Sequence, residues 1–210
     1  MLFHSADYLL FLTLAVFGFW MLRGAHLMRT LFIFGASCAF YMAWSAHYIG
    51  LILGSTVLDY LIGLKLHRTE RPAARKALLA TSICANLGLL GVFKYFNFFA
   101  ASVHDGLGAV GLEVPMVQLD VLLPVGISFY TFQTMSYTID IYRRQLEPTR
   151  NFFKFGFFVS FFPQLVAGPI VRASEFLPQL DRMPRLNSER VGRGLFLILR
   201  GMVKKVAIAD

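Results

Sequence analysis

Leu123 to Arg172 reads LPVGISFYTFQTMSYTIDIYRRQLEPTRNFFKFGFFVSFFPQLVAGPIVR and contains two apolar runs, each long enough for a membrane span. Both runs are interrupted: Pro124 and Gly126 open the first, and Pro163 lies near the middle of the second. In lipid, the backbone groups freed at such breaks need protein or water as partners. Polar residues at this depth are candidates for function. The stretch therefore predicts an irregular, membrane-embedded part of the fold around which the other helices pack.

The composition of the chain is typical of a membrane protein. Of its 210 residues, 57% are hydrophobic and 15% are charged, whereas roughly a quarter of a soluble domain is charged. The net charge of +8 would suit a nucleic-acid partner, but the basic residues form short clusters between apolar blocks, as cytoplasmic loops do. The first residues lack a basic n-region and a cleavage site, which predicts a retained helix rather than a signal peptide. We therefore predict an all-α, polytopic transmembrane bundle without a nucleic-acid partner.

Five apolar blocks have the length and composition of full spans. They are expected at about 8–22, 31–44, 48–66, 77–102 and 123–142. Basic loops at 23–30, 65–76 and 143–154 alternate with basic-poor segments at 1–7, 45–47 and 103–122. Since basic loops stay on the cytoplasmic side, this alternation places the N-terminus outside.

The apolar run at 152–171 does not fit a sixth crossing. A basic segment that includes Arg172, Arg182 and Arg185 follows it, and a full crossing would place that segment outside. Because Pro163 interrupts the helix, we predict a re-entrant segment that enters the membrane and returns. The last piece, 191–210, mixes basic and apolar residues, which indicates an interfacial helix or the start of a further span. It ends without a stop signal for the helix, so we expect the sequence to continue.

Polar residues within the fifth span form a stripe. Gln133, Ser136 and Asp140 are spaced three and four apart and share a helical face, with Ser128 nearby. Such a stripe favours the lining of an interior passage. An ion pair between Asp140 and the arginines at the end of the helix explains the aspartate equally well.

Three more polar residues lie inside predicted membrane segments. Gln164 is a candidate for a cavity-facing group, because the break at Pro163 frees carbonyl groups beside it. Asp59 either faces a polar cavity or hydrogen-bonds to a neighbouring helix, and Asn86 is expected to bond between helices. None of the five histidines has metal-ligand spacing, and the spacing shows no nucleophile–base pair. We therefore assign no catalytic residue and no metal site.

Three motifs carry a resemblance to a known family. PVGISFYTFQ (124–133), IDIYR (139–143) and FPQLVAGPI (162–170) together resemble the membrane-bound O-acyltransferase family, within it the branch that acetylates exported polysaccharides such as alginate. Blocks nearer the N-terminus fit the same pattern. The resemblance implies a multi-helix fold with a central tunnel, whose wall would include 124–133 and 162–172, the second segment ending at Arg172. It also implies a catalytic histidine in the membrane, beyond residue 210.

The resemblance implies a reaction and its partners. An acetyl group would pass from acetyl-CoA in the cytoplasm across the bacterial inner membrane, towards a soluble periplasmic transferase and the polysaccharide machinery. Since the histidine would lie outside these residues, we expect residues 1–210 alone to be inactive. An alternative is a non-catalytic membrane subunit of a polysaccharide export or assembly complex, which would use the broken helices as a passage. An intramembrane histidine further along the chain would favour the enzyme.

Overall fold

The computed structural model of the chain describes residues 5–112, 115, 118–119, 123–182 and 187–205. Within these ranges every regular element is helical. The α-helices are α1 Ala6–Met21, α2 His26–Met42, α3 Ile49–Arg68, α4 Pro72–Leu90, α5 Phe96–Ala109, α6 Ile127–Tyr142, α7 Phe152–Ser160, α8 Phe162–Ala167, α9 Ala173–Leu180 and α10 Ser188–Val203. The all-α prediction is confirmed for the described residues.

Two of the continuous helices are long and apolar enough to cross a membrane. One joins a 3₁₀ turn at Ala46–Tyr48 to α3 and has 23 residues. The other has 38 residues and joins α4 to α5 through a π-helical turn at Gly91–Tyr95. This second helix extends beyond the span predicted at 77–102, because Pro72 begins its first turn and helical geometry continues through the π turn.

The core forms where α6 packs between α3 and α4. Gly63 of α3 permits this close approach, since a Cβ there would lie 3.0 Å from both Tyr137 and Ile141. Tyr137 and Phe155 are fully buried and stack with ring centroids 4.3 Å apart, which brings α7 against the other side of α6. Helix α6 is therefore enclosed by neighbours along much of its length.

The basic loops meet at one end of this bundle, which we call the basic end. The guanidinium of Arg144 lies 2.7 Å from the carboxylate of Glu70, which joins the loop at 143–154 to that at 65–76. Arg29 donates to the carbonyl of Leu180 at 3.0 Å, which joins the start of α2 to the end of α9.

The chain from α7 to α9 reverses direction and returns to the basic end. The helix breaks at Phe161, whose backbone (φ −53°, ψ 107°) is not helical, and α8 begins at once. The return limb is α9, where Phe176 packs on Phe158 with ring centroids 5.5 Å apart. At the base of the hairpin, Lys154 lies 2.5 Å from Asp181. The return limb continues past the range 152–171 given by the sequence, which did not indicate α9.

The two irregular points of the opening stretch lie against each other. Gly126 precedes α6 with φ 74°, a left-handed conformation that favours glycine. A Cβ at this position would lie 2.8 Å from the carbonyl oxygen of Leu165 in α8. Helix α6 begins at Ile127, four residues after the predicted start, because the turn through Pro124 and Gly126 occupies that interval.

Candidate functional site

A buried carboxylate links the three central helices. Asp59 on α3 is 0% exposed and accepts hydrogen bonds from Ser82 Oγ at 2.5 Å and Asn86 Nδ2 at 2.7 Å, both on α4. Thr138 Oγ1 on α6 donates to it at 3.2 Å. Thr134 Oγ1 donates to Asn86 Oδ1 at 3.3 Å and extends the network. We call these five residues the Asp59 network. Its geometry matches the predicted hydrogen bond to a neighbouring helix.

Two glutamines satisfy the backbone at the break between α7 and α8. Gln133 Nε2 donates to the carbonyl of Phe158 at 2.6 Å, a carbonyl that the break leaves without its helical partner. Gln164 Nε2 lies 3.4 Å from Gln133 Oε1 and 3.2 Å from the carbonyl of Pro169. Both glutamine side chains are buried. Their amides hold α6, the break and the turn after α8 together.

Three other residues that were predicted to line a passage differ in environment. Ser136 is half-buried and donates to the carbonyl of Gln133 at 2.8 Å within its own helix. Ser128 is half-buried beside Lys94 Nζ, at 3.4 Å. Arg172 is exposed at the start of α9. Their predicted role in lining a passage stays a prediction.

Asp140 has no hydrogen bond or ion pair from its side chain among the described residues, although it is only 7% exposed. The ion pair with the following arginines, which the sequence allowed, is not formed. Arg144 contacts Glu70 instead, because the backbone of Arg144 adopts φ 59° and turns away from helix α6. The carboxylate oxygens of Asp140 are not among the fully buried polar atoms without a partner, so this group keeps access to the surface of the described residues.

Three buried hydroxyl groups also lack partners within the described ranges. They belong to Tyr41, Tyr130 and Thr131. Tyr130 and Thr131 fall inside 124–133, the stretch expected to form the tunnel wall. Sequence reasoning did not single them out, since tyrosine and threonine are ordinary residues on a packed helix. Unpaired buried hydroxyls are unusual and need a partner such as water, a ligand or another segment.

A cavity of about 370 Å³ lies elsewhere, between α1, α2, α7 and α9. None of the predicted polar site residues lines it, whereas Phe162 and Pro163, at the start of the expected wall segment 162–172, do. Its volume is within the range of small-molecule pockets, roughly 300–1,000 Å³. The stripe on α6 and this cavity are therefore separate features.

The basic end is held by charged groups that the sequence analysis did not place. Arg75 is buried and donates to carbonyls at the C-termini of two helices, including Leu66 of α3 and Tyr142 of α6. Cations at helix C-termini are favourable because the carbonyl ends carry partial negative charge. On the surface, the hydrogen bond from Arg144 lowers the pKa of Glu70, and the positive charge of the same arginine adds to this.

Among the described residues, no group of three His, Cys, Asp or Glu side chains could hold a metal ion. Cys38 and Cys84 are free thiols. The described arrangement can donate and accept hydrogen bonds and can hold a charge.

Comparison with known proteins supports the resemblance carried by the three motifs, because proteins named as O-acetylase or O-acetyltransferase match most of the chain. It is 38% identical over 210 residues to a protein of Pseudomonas syringae pv. tomato named "Probable alginate O-acetylase AlgI", and the match covers 98% of this chain and 40% of that protein. The protein of the same name from Pseudomonas aeruginosa is also 38% identical, over 208 residues.

One relative has a different name: it is the peptidoglycan O-acetyltransferase of Helicobacter pylori. It is 36% identical over 201 residues, which are 83% of this chain and 37% of that protein. The chain thus spans about 40% of the length of the curated relatives it matches. No family model and no solved structure matches the chain.

Proposed function

We propose that this chain is part of a membrane-bound acyltransferase that O-acetylates a polysaccharide outside the cytoplasm. The observation that carries this proposal is the identity of 34–38% to proteins named as O-acetylases or O-acetyltransferases, which extends over nearly the whole chain for most of them. The test is deletion of the gene followed by measurement of O-acetyl groups on the cell's polysaccharides. Acetylation should disappear and should return with the complete protein; unchanged acetylation contradicts the proposal.

The acceptor proposed first is an exported polysaccharide of the alginate type. Five of the six relatives are named for alginate and one for peptidoglycan. Acetyl analysis of the secreted polymer and of isolated muropeptides from the same deletion strain separates the two acceptors. Loss of acetyl from muropeptides alone would favour peptidoglycan.

The proposed donor is acetyl-CoA at the cytoplasmic face, with a soluble periplasmic transferase and the polysaccharide machinery as partners outside. The passage would follow α6, where the Gln133–Ser136–Asp140 stripe and the unpaired hydroxyls of Tyr130 and Thr131 supply polar groups. A single cytoplasmic face for the donor is supported by the meeting of the basic loops at one end of the bundle.

We further propose that the protein lies in the inner membrane with the basic end in the cytoplasm and the N-terminus outside. The α7–α9 hairpin would be the re-entrant segment, and its support is the contact between Lys154 and Asp181, which puts both ends of the hairpin together. The exposed, unpacked α10 suits an interfacial helix, since its basic and apolar residues lie on different faces.

Cysteine labelling in intact cells tests this topology. With Cys38 and Cys84 replaced, a cysteine at Ser188 should react with an impermeant maleimide only after the inner membrane is opened. A matched cysteine at Ser45, at the other end of the bundle, should react without opening it. Labelling of position 188 from outside would contradict the re-entrant arrangement.

Residues 1–210 alone are expected to be inactive, because the resemblance places the catalytic histidine further along the chain and the relatives are longer. Purified residues 1–210 should neither acetylate an acceptor nor hydrolyse acetyl-CoA. Turnover by this piece would show that the catalytic group lies within it.

A further inference from the structure

The cavity between α1, α2, α7 and α9 is an apolar cleft with a basic mouth. Along α1 its wall consists of residues spaced three and four apart, so the cleft follows one face of that helix for about two turns. Aromatic rings from the hairpin close the opposite side. The principal wall residues are Leu12, Val16, Phe19, Ile33, Phe157 and Phe176.

Two arginines stand at the basic end of the cleft. Arg29 is 5% exposed, and its guanidinium lies 5.2 Å from the centre of the Phe19 ring. Arg182 is exposed, and its side chain has no hydrogen bond or ion pair among the described residues. Asp181, the neighbour of Arg182 in the sequence, is paired with Lys154 at 2.5 Å. The exposed guanidinium of Arg182 therefore places a positive charge beside a long apolar wall.

We infer that this cleft holds one anionic phospholipid, with an acyl chain along α1 and the phosphate at Arg29 and Arg182. Guanidinium groups bind phosphate oxygens through directed, charge-assisted hydrogen bonds. The aromatic and aliphatic wall matches an acyl chain and offers nothing to a free phosphate ion. A phospholipid has both an acyl chain and a phosphate, so a single molecule would occupy the apolar wall and the basic mouth together.

A lipid can reach this cleft from the side. Val16 lines it and is 48% exposed, and the outer surface of α1 continues with exposed apolar residues such as Phe17 and Met21. In the proposed membrane orientation the arginines lie at the cytoplasmic boundary, where the phosphates of that leaflet are found. The cleft is thus open to the acyl region and charged at headgroup level.

The test measures lipid retained by the complete protein. The protein is purified from nanodiscs that contain equal amounts of phosphatidylglycerol and phosphatidylcholine, and bound lipid is counted by native mass spectrometry. We expect one retained phosphatidylglycerol. R182Q should lower its retention about fivefold, the order expected for one exposed charge-assisted contact. V16W, which fills the cleft, should abolish retention.

R143Q is the matched control, because Arg143 is an exposed arginine after α6 that does not line the cleft. It should retain lipid as the parent protein does, and equal melting temperatures show that all variants are folded. Equal retention of phosphatidylcholine, equal effects of R182Q and R143Q, or displacement of the lipid by inorganic phosphate would each overturn the inference. So would a photocrosslinker at position 16 that captures another protein segment. Acetylation is measured separately, so this inference and the proposed function fail independently.

Discussion

Asp59 and Asp140 are both buried carboxylates on central helices, yet their surroundings are opposite. Asp59 accepts hydrogen bonds from three side chains on two other helices. Asp140 has no side-chain partner among the described residues. The hydrogen bonds to Asp59 come from groups within this chain, and they link α3, α4 and α6. Asp140 has the environment expected of a group that meets water, a substrate or a further segment.

The largest expected effect comes from Asp59→Ala, which breaks the complete site. Ser82 and Asn86 would each lose one acceptor, whereas Thr138 keeps the carbonyl of Thr134, and each buried donor left unpaired costs about 1–3 kcal/mol. We expect a large fall in the melting temperature of the detergent-purified protein, or no folded protein at all. Asp59→Asn keeps the size of the side chain and one acceptor oxygen, so its melting temperature should fall by less. Equal stability of the alanine variant and the parent would show that the network does not hold the helices.

A smaller loss is expected from Gln133→Leu. The carbonyl of Phe158 would lose its donor and Gln164 its amide partner, at a cost of about 1–3 kcal/mol. The melting temperature should fall by less than for Asp59→Ala. Phe132→Leu, an exposed apolar change on the same helix, serves as the control. A fall no greater than that of the control would mean that the broken backbone finds another partner.

Asp140→Asn sharpens the comparison, since it should change activity without changing stability. No partner is lost among the described residues, so the free energy of unfolding should change by less than about 0.5 kcal/mol. Polysaccharide O-acetylation by the complete protein should fall at least about tenfold if the carboxylate serves the passage. A stable variant with normal acetylation would remove Asp140 from the candidate site. An unstable one would show that a segment beyond this chain pairs with it.

The smallest effect is expected from Glu70→Gln at the surface. Arg144 lowers the pKa of Glu70 in the folded state, so the pair stabilises the protein above the ordinary carboxyl pKa. That contribution disappears as the pH falls through the lowered pKa of the folded state. The parent and Glu70→Gln should therefore differ slightly in melting temperature at pH 7 and converge near pH 3. A constant difference across this range would exclude the ion pair as its cause.

Much of the helical layout and one part of the candidate site could be predicted from the sequence. Apolar blocks, proline and glycine indicated the helices and the break near Pro163, because these signals are local. Local reasoning also explained why Gln164 lies where carbonyls are free. The short α9 was missed, because a helix of eight residues with Pro178 inside it leaves little periodic pattern.

The partners of the polar residues could not be predicted, because they are distant in sequence. From the sequence, Asp59 either faces a polar cavity or bonds to a neighbouring helix, and only the packing shows that Ser82 and Thr138 reach it. Arg75 looked like one basic loop residue among several, yet it bonds to carbonyls of two helices. For Asp140 the spacing allowed either a passage-lining group or a local ion pair, and the backbone turn at Arg144 prevents the pair.

The Asp59 network has a consequence for how the chain is made. The donors from α4 follow Asp59 by 23 and 27 residues, whereas the donor from α6 follows by 79. In the membrane arrangement proposed above, α3 would leave the ribosome before its carboxylate has a partner, and a lone charge is poorly accepted by lipid. We therefore expect α3 and α4 to enter the membrane as a hairpin, with Ser82 and Asn86 already in contact with Asp59. Helix α6 would join that hairpin later in synthesis.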